Sequence, residues 1–196
     1  YNMDIDTEIE SGSTTRDFID MKFKSSIDQS QIPDGGTEVY DADLLRAKAV
    51  SRYQFGIEAT DALFRGKIEM VISRKTGKIR NIISDGEHVL SMRAGDGLYS
   101  LRVEGANRIV KVLPSPAMRV VLMDDAVPFV SQGRNAFCQF ITACDPTLVP
   151  MDEAIAVDKD DRVLATGRLL LTADEISSFK KGVALKIRSG AGDDEA

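Results

Sequence analysis

The sequence predicts an α+β fold in two parts, a small two-helix antiparallel-sheet domain followed by a β-barrel-like unit. Three observations predict it. Apolar residues recur at helical spacing over 41–66 and stop at Gly56 and Gly66. From Lys67 to Leu113 apolar and polar residues alternate between the turn signals Lys75-Thr76-Gly77, Asp85-Gly86-Glu87 and Ala94-Gly95-Asp96-Gly97, the pattern of half-exposed antiparallel strands. Past Pro114 and Pro116, which cannot continue a ladder, a second series of short apolar strands begins.

The elements follow in order. Residues 1–40 are a polar, acidic arm, expected to be partly flexible, with loop signals at Ser11–Thr15 and Ile32–Gly36. Tyr1 and Asn2, ahead of Met3, read as a remnant outside the natural start, and no basic-then-apolar signal pattern follows. Between the loop signals, Phe18, Ile19, Met21 and Phe23 fit a short helix or a strand equally well. The domain over 41–114 opens with a helix carrying Leu44, Leu45, Ala47, Ala49 and Val50, then a shorter one from Ile57, then about four strands. Residues 114–117 read as a linker. The domain over 115–190 contains the strand Met118–Asp125, a short helix ending at Gly133, a strand over 135–145 with Cys138 buried in it, and strands over 153–157 and 162–171. A helix from Thr172 follows, with Glu175 three residues on completing a capping box, and a last strand, Val183–Gly190. Residues 191–196 are an acidic tail.

Composition narrows the function. The chain has 196 residues, 43% hydrophobic and 29% charged, the profile of a globular protein, and no apolar run approaches the length of a membrane helix. Two cysteines six residues apart make neither a disulfide framework nor a zinc spacing, so reduced thiols in a cytoplasmic protein are expected. His88 is the one histidine. With Asp85 and Glu87 beside it and no distant fourth ligand, it reads as a surface turn rather than a metal site. The adjacent acidic pairs Asp124-Asp125 and Asp160-Asp161 point to opposite faces of a strand and cannot work as paired catalytic carboxylates. No phosphate-loop, dinucleotide or zinc-protease motif is present, and no catalytic residue, metal or cofactor is assigned.

Net charge is −6, but unevenly spread. Residues 1–40 hold 3 Lys+Arg against 9 Asp+Glu, residues 41–114 hold 13 against 9, and residues 115–196 hold 9 against 13. The basic middle keeps a nucleic-acid partner open despite the acidic total.

The order of elements over 115–190 resembles the PUA domain, named for pseudouridine synthases and archaeosine transglycosylases. The resemblance rests on Gly133 with Asn135-Ala136-Phe137, on Asp152 to Val157, on Leu164-Ala165-Thr166-Gly167-Arg168, and on Gly182 to Arg188. The family often carries Gly where this chain has Met151. The stretches Ser51–Gly66, Ser73–Ile82, Asp96–Ile109 and Pro114–Leu122 look like the domain that precedes PUA in archaeal tRNA-guanine transglycosylase and its archaeosine-synthase relatives. The catalytic (β/α)₈ barrel of those enzymes takes about 250 residues and has no counterpart here.

The resemblance implies an RNA groove between the loop at Gly133 and the strand carrying Gly167-Arg168. In it, Gly133 lets backbone amides approach phosphate, and Arg134 and Arg168 offer forked donors. Lys186 and Arg188 alternate along the last strand and share one face. Phe137 offers a stacking surface or a core side chain, its strand position favouring core. Gly133 and Gly167 read equally as turn glycines. Arg74, Lys75, Lys78 and Arg80 on the hairpin of the middle domain form an auxiliary RNA patch or a solvated edge. The function so implied is an RNA-binding accessory protein that holds the acceptor stem and 3′ end of tRNA. Its partner would be a catalytic tRNA-guanine transglycosylase or archaeosine-pathway subunit. The alternative is a PUA-type module that binds protein or another RNA.

Overall fold

The computed structural model describes residues 41–192. The acidic arm and residues 193–196 of the tail, with the expectations made for them, lie outside the described residues.

Two helices open the described chain, α1 (Asp41–Phe55) and α2 (Ile57–Leu63). Ala47, Ser51 and Phe55 of α1 and Ala59, Thr60 and Leu63 of α2 are buried, and the Ser51 and Thr60 hydroxyls hydrogen-bond at 2.9 Å. A four-stranded antiparallel meander follows, β1 (Ile68–Ile72), β2 (Ile79–Ser84), β3 (Glu87–Met92) and β4 (Tyr99–Leu101), in the order β1-β2-β3-β4. Gln54 fastens α1 to β4 by accepting from Tyr99 N (2.8 Å) and donating to Tyr99 O (2.7 Å).

The stretch after β4 departs from the alternating pattern expected of it. It forms a helix, α3 (Val103–Val110), with Val103, Ala106 and Ile109 buried at helical spacing. Gly105 is a packing residue: a Cβ there would lie 2.5 Å from the Val89 carbonyl of β3. Its absence lets the helix lie directly on the strand.

The second half comprises β5 (Arg119–Leu122), α4 (Val127–Val130), β6 (Ala136–Phe137), β7 (Ile141–Cys144), β8 (Glu153–Val157), β9 (Val163–Leu169), α5 (Ala173–Ser178) and β10 (Val183–Gly190). They form one six-stranded sheet in the order β6-β10-β9-β8-β5-β7, with β5 and β8 parallel and the other pairs antiparallel. The expected single strand over 135–145 is broken by a 3₁₀ turn at Cys138–Phe140, and Cys138 is buried in that turn rather than in a strand. The break sends β6 to one edge, beside β10, and β7 to the other, beside β5, and so brings the two edges of the sheet toward closure. α5 starts with the capping box read from sequence: Glu175 N donates to Thr172 Oγ1, and Thr172 N donates to the Glu175 carboxylate.

The two halves share one core. Met118, Ile155 and Val157 pack in the same buried cluster as Leu63, Leu90, Leu101 and Ile109. The Thr166 hydroxyl of β9 donates to Leu101 O of β4 at 2.7 Å. The residues between α3 and β5, read as a linker, are pinned by the side chain of Arg119. Its Nη2 donates to Val110 O and Leu113 O, both at 2.9 Å, and its Nη1 to Ala117 O at 2.8 Å. Asp161 completes the set, accepting from Nε at 2.7 Å and Nη2 at 3.0 Å. One guanidinium thus satisfies carbonyls that the end of α3 leaves without partners.

Among the described residues, no helix is long and apolar enough to cross a membrane.

Candidate nucleic-acid interface

The residues singled out in the second half meet around β10. This strand lies between β6 and β9, with Val183 opposite Phe137 on one side and Lys186 opposite Arg168 on the other. The α4–β6 loop arrives at the β6 edge. Gly133 sits in it at φ +83°, where a side chain is strained, which fits the turn alternative of its two readings. Its N–H donates to Val130 O at 3.0 Å, so that amide is engaged internally and does not face a phosphate. Arg134 is exposed, with its guanidinium 5.6 Å from the Phe129 ring centre, a cation–π arrangement that holds the charge at the surface. Asn135 accepts the Ile187 N–H on its side-chain oxygen at 3.0 Å and fastens the loop to β10. Phe137 departs from the core reading: on an edge strand it is 44% exposed, and Phe129 beside the loop is exposed as well.

On the other side of β10, Glu153, Arg168 and Lys186 stand abreast across β8, β9 and β10. Gly167 is neither a turn residue nor an open cradle. It is buried in mid-strand, and a Cβ on it would lie 2.4 Å from Lys186 O. Lys186 is exposed, whereas Arg188 bends toward Glu153, with its Nε 3.7 Å from Oε1. Met151, the position where the resembled family often has Gly, adopts φ +85°, and its sulfur is 3.9 Å from Arg168 Nη1.

Arg74, Lys75, Lys78 and Arg80 are all exposed on the β1–β2 hairpin. Those strands lie at the end of their sheet away from β4, the strand that meets the barrel, so the hairpin is not brought to the set around β10. His88 lies on β3 rather than in a surface turn, half-buried, its Nε2 within 3.1 Å of Leu90 O and 3.0 Å of Ser91 Oγ. Among the described residues no group of three His, Cys, Asp or Glu side chains is placed to hold a metal. Both cysteines are free, and burial, then Asp145, pushes the Cys144 thiol up to about 11, away from a reactive thiolate.

Sequence reasoning missed two residues at the centre of the electrostatics. Glu153 is buried where the halves meet. It accepts from Arg93 Nη1 at 2.9 Å and from Leu101 N at 3.2 Å. Burial holds its carboxyl above the usual carboxylate range, against the opposing pull of the Leu101 amide and of Arg93, Arg188 and Arg168. Arg93 in turn donates to Asp96, 3.1 Å away. The only local signal was a carboxylate at the head of an apolar strand; the pair itself joins positions 60 residues apart.

The folded state holds the Glu153 proton more tightly than the unfolded chain does. Stability contributed by this group is therefore present below the ordinary glutamate range and falls as pH rises through the raised folded value. Glu153→Gln removes that loss. Urea unfolding of the two proteins from pH 4 to 8 should show the wild type losing ground to the variant as pH rises, and a constant difference would contradict the assignment.

Comparison with known proteins agrees with this architecture. Residues 45–116 match the family described as the patch-forming domain C2 of tRNA-guanine transglycosylase, and residues 118–191 match the PUA domain. The chain is 44% identical over 142 residues to tRNA-guanine(15) transglycosylase of Thermococcus kodakarensis, covering 72% of this chain and 24% of that protein. With the Methanobrevibacter smithii enzyme of the same name it shares 42% over 148 residues, 76% of this chain and 22% of that one. The chain thus spans about a quarter of the length of these relatives. Among solved structures, a hypothetical protein from Pyrococcus horikoshii superposes with a TM-score of 0.63 at 20% identity, over 78% of this chain and 92% of that one. A conserved PUA domain protein from Thermoplasma acidophilum gives 0.57 at 20% identity, over 80% and 94%. These two likenesses concern the fold. Residues 45–191 belong to the two matched families, a C2 domain of the tRNA-guanine transglycosylase kind followed by a PUA domain.

Proposed function

We propose that the chain is a non-catalytic tRNA-binding module of the cytoplasm, which holds the acceptor stem and 3′ end. Archaeosine-type base exchange would be carried out by a tRNA-guanine transglycosylase barrel or a related archaeosine-pathway chain. The observation that carries this reading is the placing of Arg168, Lys186 and Arg188 on the adjacent strands β9 and β10, with Arg134 on the loop fastened to the other edge of β10, in a half of the chain that is otherwise acidic. Forked guanidiniums suit phosphate oxygens, and the exposed Phe129 and Phe137 rings suit unpaired bases. The named relatives support tRNA as the RNA. Asn135 and Gly133 act by setting the loop rather than by touching RNA, and Arg74, Lys75, Lys78 and Arg80 form a separate, auxiliary contact.

A second reading, a module that binds protein, is favoured by the acidic balance of residues 115–196, 13 acidic against 9 basic. Salt dependence separates the two. The chain should bind tRNA in a salt-sensitive way, more weakly once the 3′-terminal CCA is removed. Arg134→Ala should lower the slope of log affinity against log salt by about one. Filter binding across a potassium chloride series checks this. Absence of tRNA binding at low salt would sink the RNA reading, and an unchanged slope would remove Arg134 from the interface.

A further inference from the structure

Where β3 and β4 meet β9 and β10, a cleft of about 590 Å³ opens between the Arg93–Asp96 turn and the strands carrying Arg168 and Arg188. Three guanidiniums line it, against one carboxylate on its wall, Asp96, and one buried beside it, Glu153. The charges are unevenly satisfied. Arg93 is committed to Glu153 and Asp96, at 2.9 and 3.1 Å. Arg188 reaches Glu153 only at 3.7 Å, with its side chain 34% exposed.

Arg168 is the least satisfied. Its Nε is buried without a hydrogen-bond partner, and its Nη1 meets only the Met151 sulfur, a weak acceptor, at 3.9 Å. Burial, then Arg188 and Arg93, works against its charged form. A buried donor with no acceptor is costly, and three like charges crowding the same cleft add to that cost. An anion with several acceptor oxygens would relieve both. Gly95, on the opposite wall, is exposed and faces open space.

We propose that this cleft is a phosphate site, formed by Arg168 and Arg188 with Arg93 behind them, and that it takes a backbone phosphate of the bound RNA. The proposal rests on the RNA-binding reading and extends it across the junction of the two domains, onto a turn that carries no recognisable motif. A tetrahedral oxyanion accepts from two guanidinium forks at once, which a single carboxylate such as Glu153, already engaged by Leu101 N and Arg93, cannot do for all three.

The test is a titration of the full chain, ¹⁵N-labelled and observed through its arginine Nε–Hε resonances. Inorganic phosphate is added first, then a short single-stranded RNA, against chloride at equal ionic strength. The Arg168 and Arg188 resonances should shift saturably with phosphate, and RNA should displace it, while Arg134 responds to RNA alone. Arg168→Gln breaks no ion pair and should weaken phosphate binding by about tenfold. If neither addition moves Arg168 while tRNA is retained on filters, the cleft is not a phosphate site and the RNA reading stands. If phosphate saturates the cleft but RNA neither shifts nor competes, the RNA source is overturned. If phosphate saturates it and tRNA is not bound at all, the RNA reading fails, and with it the proposed occupant.

Discussion

Replacing Arg119 by Met is expected to lower the unfolding free energy by about 3–5 kcal/mol, the cost of leaving several backbone carbonyls without their donor. Arg119 is 1% exposed, and its guanidinium holds the carbonyls of Val110, Leu113 and Ala117 together with both oxygens of Asp161. Met fills the space of the apolar stem but leaves those carbonyls without a donor, each worth about 1–3 kcal/mol when buried. Asp161, being exposed, recovers water and adds little. Lys should rescue poorly, because one ammonium cannot span the end of α3, the Pro114–Ala117 segment and a carboxylate at once. The core shared between α3, β4 and β8 requires both halves to fall in a single transition, so the urea midpoint should drop with its slope unchanged. A loss below about 1 kcal/mol would show that Arg119 is not the fastening between the domains, and two separate transitions in the wild type would contradict the shared core.

What the sequence made legible follows from the range of each interaction. Thr172 with Glu175, the Gly133 turn and the cations at 134, 168 and 186 are carried by neighbouring residues, and a local pattern reveals them. Helix α3 was hidden because its residues read as continuing the apolar–polar alternation of the strands before them, and the reason for Gly105 is the Val89 carbonyl of another element. The strand over 135–145 reads as continuous since nothing in its apolar run says that β6 and β7 serve opposite edges of the sheet. Arg119 and Arg93 look like ordinary surface charges, one heading a strand and one opening a turn. Their partners, Asp161 and Glu153, lie 42 and 60 residues away. Charges buried at a domain junction are the least local feature of a chain. They also decide here how the two halves are held and where a cleft lined by Arg93, Arg168 and Arg188 remains.

Gly167→Ala separates two explanations of the Gly-Arg pair. Were the glycine there to admit a phosphate, alanine would weaken RNA binding and leave stability alone. The structure predicts the reverse order of effects. The added Cβ would lie 2.4 Å from Lys186 O and 2.9 Å from both Lys186 C and Ile187 Cα, all backbone atoms of β10 that cannot swing aside. Gly167 is not among the residues with positive φ, so the cost is steric rather than conformational. Forcing β9 and β10 apart should cost about 2–3 kcal/mol, the upper part of the range for overpacked interiors. The same separation draws Arg168 away from Lys186, its partner across the ladder, so RNA affinity falls only through that displacement. Urea unfolding and tRNA binding measured on one preparation give both numbers. A stability loss larger than the binding loss assigns Gly167 to the approach of the two strands. An unchanged unfolding midpoint with a large loss of affinity would instead return the glycine to the RNA surface, and the position of Arg168 would then need another explanation.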